Sequence, residues 1–117
     1  MQVVRSHLRL AALAAGLVLW QGAALAADAG KGKQAYMKYG CWQCHGTVGQ
    51  GSPITGPKLA PEPMPLEAMT TFIRNSNRTM PPYKEAVLPN EDLADIHAYL
   101  ASVPKGVDAK SIPILND

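Results

Sequence analysis

The segment Cys41-Trp42-Gln43-Cys44-His45 constrains this chain more than any other. Two cysteines stand two residues apart and a histidine follows the second directly. Each thiol can add to one vinyl group of a haem. The histidine then lies beneath the porphyrin plane, where an imidazole nitrogen can bind iron. This spacing reads as a c-type haem attachment. The sequence holds 2 cysteines, both in the motif, so no other pairing competes for them. A structural zinc site usually takes four Cys or His ligands; the chain offers these two with His7, His45 and His97, and His7 lies in a segment expected to be removed. A thioredoxin-like dithiol belongs near a βαβ unit, and no alternating strand pattern surrounds this one. A plain disulfide suits an exported protein but leaves His45 without a role.

Export is predicted by the first 26 residues. Arg5 and Arg9 give a basic start, Leu10 to Leu19 is apolar, and Ala24-Leu25-Ala26 has the small-residue form of a cleavage site. Together these features define a secretory signal peptide at 1–26 and a periplasmic protein. The apolar run is shorter than the roughly 18 to 20 residues a spanning helix needs, which argues against an uncleaved anchor. Cleavage leaves 91 of the 117 residues and removes two of the 11 basic ones, so nine basic residues face nine acidic ones. A neutral mature chain without a basic stripe gives no footprint for nucleic acid. A chain of this length can bury only a modest core. A covalent haem would add a large apolar body to it.

Three longer helices are expected in the mature chain. Ala29 to Tyr39 carries Ala35, Tyr36 and Tyr39 on one face, with Asp28 as N-cap and Gly40 as the stop. Residues 46–65 are punctuated by glycine and proline and read as loop. A loop that long in a small domain needs something to organise it, and a haem edge would serve. Leu66 to Asn75 follows Pro65, and its stripe is Leu66, Met69, Phe72 and Ile73. Thr79-Met80-Pro81-Pro82-Tyr83 is extended, because residues before proline avoid the α region. Asn90 to Val103 is predicted with Asn90 as N-cap, Glu91 and Asp92 in the first turn, and a buried stripe of Leu93, Ile96, Leu100 and Val103 beside Tyr99. Residues 107–117 read as an extended C-terminal tail.

Haem iron takes two axial ligands. His45 supplies one. A methionine thioether is the usual second ligand of an electron carrier, and it raises the potential. Met37 lies too close to Cys41 to reach the opposite haem face, and Met69 falls on an apolar helix stripe where methionine packs cores. Met64 and Met80 remain, each followed by proline.

The chain resembles the small single-haem class I cytochromes c of the bacterial periplasm. The likeness rests on a helix leading into Cys41-Trp42-Gln43-Cys44-His45, on Gly56-Pro57-Lys58-Leu59, on Met80-Pro81-Pro82, and on a last helix containing Ala98-Tyr99-Leu100. It implies an all-α fold at 27–106, with three to four helices packed around one covalent haem and long connecting loops. It implies that the Pro57 carbonyl accepts a hydrogen bond from His45, fixing the ring tautomer. It also implies that the first and last helices cross at a glycine against an aromatic, matched here by Gly32, Tyr36 and Tyr99. The chain is similar as well to the small cytochrome subunits that accept electrons from periplasmic flavin dehydrogenases of the p-cresol methylhydroxylase and eugenol hydroxylase kind. That narrower likeness rests on size and on Arg78-Thr79-Met80-Pro81.

The resemblance places the second ligand between the middle and last helices, where Met80 lies. Two further points favour Met80 over Met64. Met64 comes 19 residues after His45 and Met80 comes 35 after, once a helix has been laid down between them. Pro81 and Pro82 also stiffen the chain behind Met80, lowering the entropy lost in holding its sulfur. Arg74 and Arg78 are candidates for the haem propionates, since guanidinium recognises carboxylate well. Trp42 is a candidate for the haem edge or a partner contact, and His97 reads as a surface or core histidine. No constellation of catalytic acid, base or nucleophile appears. The expected function is that of an electron carrier rather than an enzyme. It would accept electrons from a periplasmic dehydrogenase or other redox protein and pass them to the respiratory chain. The alternative is a haem protein with an open axial position that binds a small ligand or acts catalytically.

Overall fold

The computed structural model describes residues 26–116. The expected signal peptide lies outside these residues, save for Ala26. Among the described residues four α-helices follow in order: α1 (Ala29–Lys38), α2 (Trp42–His45), α3 (Leu66–Asn75) and α4 (Asn90–Ser102). No strand forms among the described residues; a single antiparallel bridge joins Ser52 to Gly56. The fold is all-α, as expected. No helix among the described residues is long and apolar enough to cross a membrane.

Helix α1 begins where predicted. The Asp28 carboxylate accepts from the Lys31 N–H at 2.9 Å, satisfying one of the free donors of the first turn. Those N–H groups hold the Asp28 carboxyl below its ordinary range, the Lys31 amide contributing most. At the other end Tyr39 is the cap residue rather than the last helical one, and Gly40 turns the chain with a φ of 77°.

The core is the crossing of α1 and α4. Tyr36, Leu93, Ile96 and Leu100 are fully buried, with Ala35 and Tyr99 beside them. The Tyr36 and Tyr99 rings stand 5.6 Å apart at 59°, within the tilted range that aromatic pairs prefer. The Asp28 N–H donates to the buried Asp95 carboxylate at 2.7 Å, which ties the start of α1 to the middle of α4.

Further helix details differ from the sequence expectation. Helix α4 ends at Ser102, and Val103, expected within it and buried, is its half-buried cap residue. Helix α4 has Pro89 at its cap position, and Asn90 is its first helical residue. The Asn90 amide is taken by other partners: it accepts from Arg74 at 2.6 Å and donates to Glu85 at 2.8 Å. Helix α3 buries Met69 and Ile73 but leaves Leu66 and Phe72 36% and 48% exposed. Met69 and Ile73 sit one turn apart and meet the core, while Leu66 and Phe72 lie off that line. Beyond α4, the tail carries two three-residue 3-10 turns, Ala109–Ser111 and Pro113–Leu115, neither with a buried residue.

Candidate functional site

Helix α2 is four residues long and carries Trp42, Cys44 and His45, with Cys41 at its cap. A helix this short has no stability of its own. It is held in place by α1 before it and the loop after it. The Cys41 N–H donates to the Tyr36 carbonyl at 3.2 Å, and the Gly46 N–H to Trp42 at 2.9 Å. The Tyr36 hydroxyl, from the core, donates to the Gly46 carbonyl at 2.8 Å, and the Tyr99 hydroxyl to Thr47 at 3.0 Å. The two core aromatics therefore grip the chain immediately after His45. A sequence reading finds the aromatics but not these targets, because both bonds join residues with no fixed spacing.

The loop after His45 is organised by its own hydrogen bonds. Gly51 N–H donates to the His45 carbonyl at 2.8 Å and Thr55 Oγ1 to the Cys44 carbonyl at 2.7 Å. Leu59 and Ala60 N–H groups both reach the Gly49 carbonyl. The loop thus folds back over the motif and delivers Gly56-Pro57 to the imidazole. His45 is buried, and its Nδ1 lies 2.8 Å from the Pro57 carbonyl oxygen. A carbonyl only accepts, so the proton must be on Nδ1. That leaves the lone pair on Nε2, which makes no hydrogen bond among the described residues. A Cβ at position 56 would come within 3.0 Å of Nδ1 and of the Cys44 carbonyl. Glycine at 56 is what lets the loop approach the ring this closely.

Neither cysteine is in a disulfide; Cys41 is half-buried and Cys44 exposed. Before haem attachment, burial would push the Cys41 thiol up to about 11 and keep it neutral at physiological pH. No group of three or more His, Cys, Asp or Glu residues gathers as a metal site among the described residues. The donor set fits a haem c instead: two cysteines spaced for the two vinyl groups, and an imidazole whose Nδ1 bond turns Nε2 toward iron-binding chemistry.

Met80 is half-buried and packs against the hydrophobic core, whereas Met64 is 46% exposed. The Met64 carbonyl lies 3.1 Å from Nε2 of His97, which gives that histidine a partner on the loop before α3. Trp42 is 39% exposed beside the motif. Arg74 donates to the Tyr83 carbonyl at 2.8 Å as well as to Asn90. Leu88, fully buried in the turn before α4, is a core residue that no periodic pattern announces.

Helices packed about a Cys-x-x-Cys-His segment, with the histidine oriented through Nδ1, define a c-type cytochrome, an electron-transfer haem protein. The chain belongs to the family described as cytochrome c oxidase, cbb3-type, subunit III, which matches residues 27–100, from before α1 through most of α4. Comparison with curated proteins and with solved structures gave no match. The family implies haem c, for which Cys41 and Cys44 stand at the attachment spacing, and it agrees with the broader of the two resemblances, that to small c-type cytochromes.

Proposed function

We propose that the protein is a periplasmic electron carrier with one haem, held axially by His45 and Met80. The observation that carries this reading is the 2.8 Å contact between His45 Nδ1 and the Pro57 carbonyl, inside a Cys-x-x-Cys-His motif. It fixes the tautomer and makes the imidazole a better donor at Nε2. When bound, the haem supplies the ferric–ferrous couple. Cys41 and Cys44 would anchor it, and His45 would ligate from one face. Met80, a soft thioether, would ligate from the other and raise the potential. With both positions filled from the chain, oxygen and substrate have no direct access to iron.

Electrons would come from a periplasmic dehydrogenase or other redox protein and pass to the respiratory chain. The resemblance to cytochrome subunits of flavin dehydrogenases supports a dehydrogenase donor. The family's description favours a second class of partner, the core of a cbb3-type oxidase. Purification from the periplasmic fraction tests the reading. We expect an intact mass of the chain from Ala27 plus one haem, and a methionine–iron band in the oxidised visible spectrum. A mass that includes residues 1–26 would mean a membrane anchor, and a missing band would mean an open or differently filled axial position. Whether a flavin dehydrogenase or an oxidase core co-purifies separates the two partner classes.

A further inference from the structure

The segment that carries Met80 is held almost entirely from its two ends. From Asn77 to Pro82 no backbone N–H forms a backbone hydrogen bond among the described residues. At the far end Tyr83 is fixed three times: its N–H donates to Ile73 at 3.0 Å, its carbonyl accepts from Arg74, and its hydroxyl donates to the Tyr39 carbonyl at 2.9 Å. At the near end there is one hold. Ser76, the buried cap residue of α3, donates its hydroxyl to the Met80 carbonyl at 2.7 Å. That bond closes a five-residue loop whose intervening members are Asn77, Arg78 and Thr79.

We propose that Ser76 is a positioning residue for Met80, setting how firmly the thioether stays on iron. This rests on the reading of Met80 as the axial ligand. Pro81 supplies no N–H, so the Met80 peptide has no second donor with which to hold itself. The Ser76 hydroxyl is the contact that fixes the ligand residue's own backbone, and Tyr83 fixes the chain three residues on. Without the hydroxyl the Met80 carbonyl must find water, and the segment gains a range of positions in which the sulfur is off the iron. The state with methionine dissociated then becomes more populated, and an external ligand captures it.

The test is imidazole titration of the oxidised holoprotein, followed by loss of the methionine–iron band. Ser76→Ala should bind imidazole with roughly tenfold higher apparent affinity, the scale that losing one hydrogen bond to a half-buried carbonyl carries. Ser76→Thr should behave as the wild type, and Ser76→Val, of the same shape without the hydroxyl, should follow Ser76→Ala. Thr70→Ala removes a comparable hydroxyl–carbonyl bond within α3, to Leu66 at 2.8 Å, and should change nothing. Unchanged imidazole affinity in both Ser76→Ala and Ser76→Val would overturn the proposal, and so would their failure to accumulate as holoproteins. If the wild-type band is absent or survives Met80→Ala, the ligand reading itself fails and takes the proposal with it. If the band depends on Met80 but not on the residue-76 hydroxyl, only the proposal fails.

Discussion

Gly32 and Tyr99 meet at the crossing of α1 and α4: a Cβ on Gly32 would lie 2.9 Å from the Tyr99 Cβ and would overlap the Asp95 carbonyl. Two opposing effects decide what alanine does there. In a helix interior alanine is favoured over glycine by roughly 1 kcal/mol. Overpacking a core typically costs about 1–3 kcal/mol and sometimes more, and here the obstacle is backbone that cannot swing aside. Gly32→Ala should therefore lower the unfolding free energy of the holoprotein by about 2 kcal/mol or more, read from guanidinium denaturation. A stabilised variant would show that the helices do not cross this tightly.

Tyr36 links stability to pH. It is fully buried, and burial pushes its phenol well above the ordinary value of 10.0. The folded state thus keeps a proton that the unfolded chain releases near pH 10. Its contribution is fully present below that pH and is lost as pH rises above it. Burial raises Tyr83 in the same direction. Tyr36→Phe should flatten the fall in stability above pH 10. Near neutral pH it should cost about 1 kcal/mol, because the Gly46 carbonyl loses its donor. Urea midpoints measured across the alkaline range check both parts.

Replacing Cys41 and Cys44 together with alanine should leave a protein that gives up its haem to acid-acetone and is degraded or molten after export. The core formed by α1 and α4 is small, and the chain lacks the size to bury a larger one. A stable variant that kept its haem through acid-acetone would contradict covalent attachment through these sulfurs.

How legible each part was depended on whether its cause is local. Asp28 announced α1 because its carboxylate caps an amide three residues on. The stripe Leu93, Ile96 and Leu100 announced α4 because one-turn spacing is written in the chain. Asn90 misled for a physical reason: it has a cap's chemistry, but Arg74 and Glu85 claim its amide. The Arg74 guanidinium bridges Tyr83 and Asn90, contacts to a loop carbonyl and a distant amide that no local pattern announces. Leu88 and the hydroxyl bonds of Tyr36 and Tyr99 were illegible because they depend on which loop atoms arrive beside them. The crossing at Gly32 and the Pro57 contact with His45 came from family resemblance, since no propensity or periodicity implies either.

Under the proposed function iron is held between His45 and Met80, and paired methionine variants separate this from ligation by Met64. Both residues precede a proline, but only Met80 packs against the core, and the exposed Met64 leads into α3. The measurement is the oxidised visible spectrum, with the reduction potential, of Met80→Ala and Met64→Ala holoproteins. Met80→Ala should lose the methionine–iron band, drop in potential and bind carbon monoxide when reduced, while Met64→Ala should match the wild type in all three. The reverse pattern, or a band that survives in both, would remove Met80 from the iron and reroute the loop that carries the ligand.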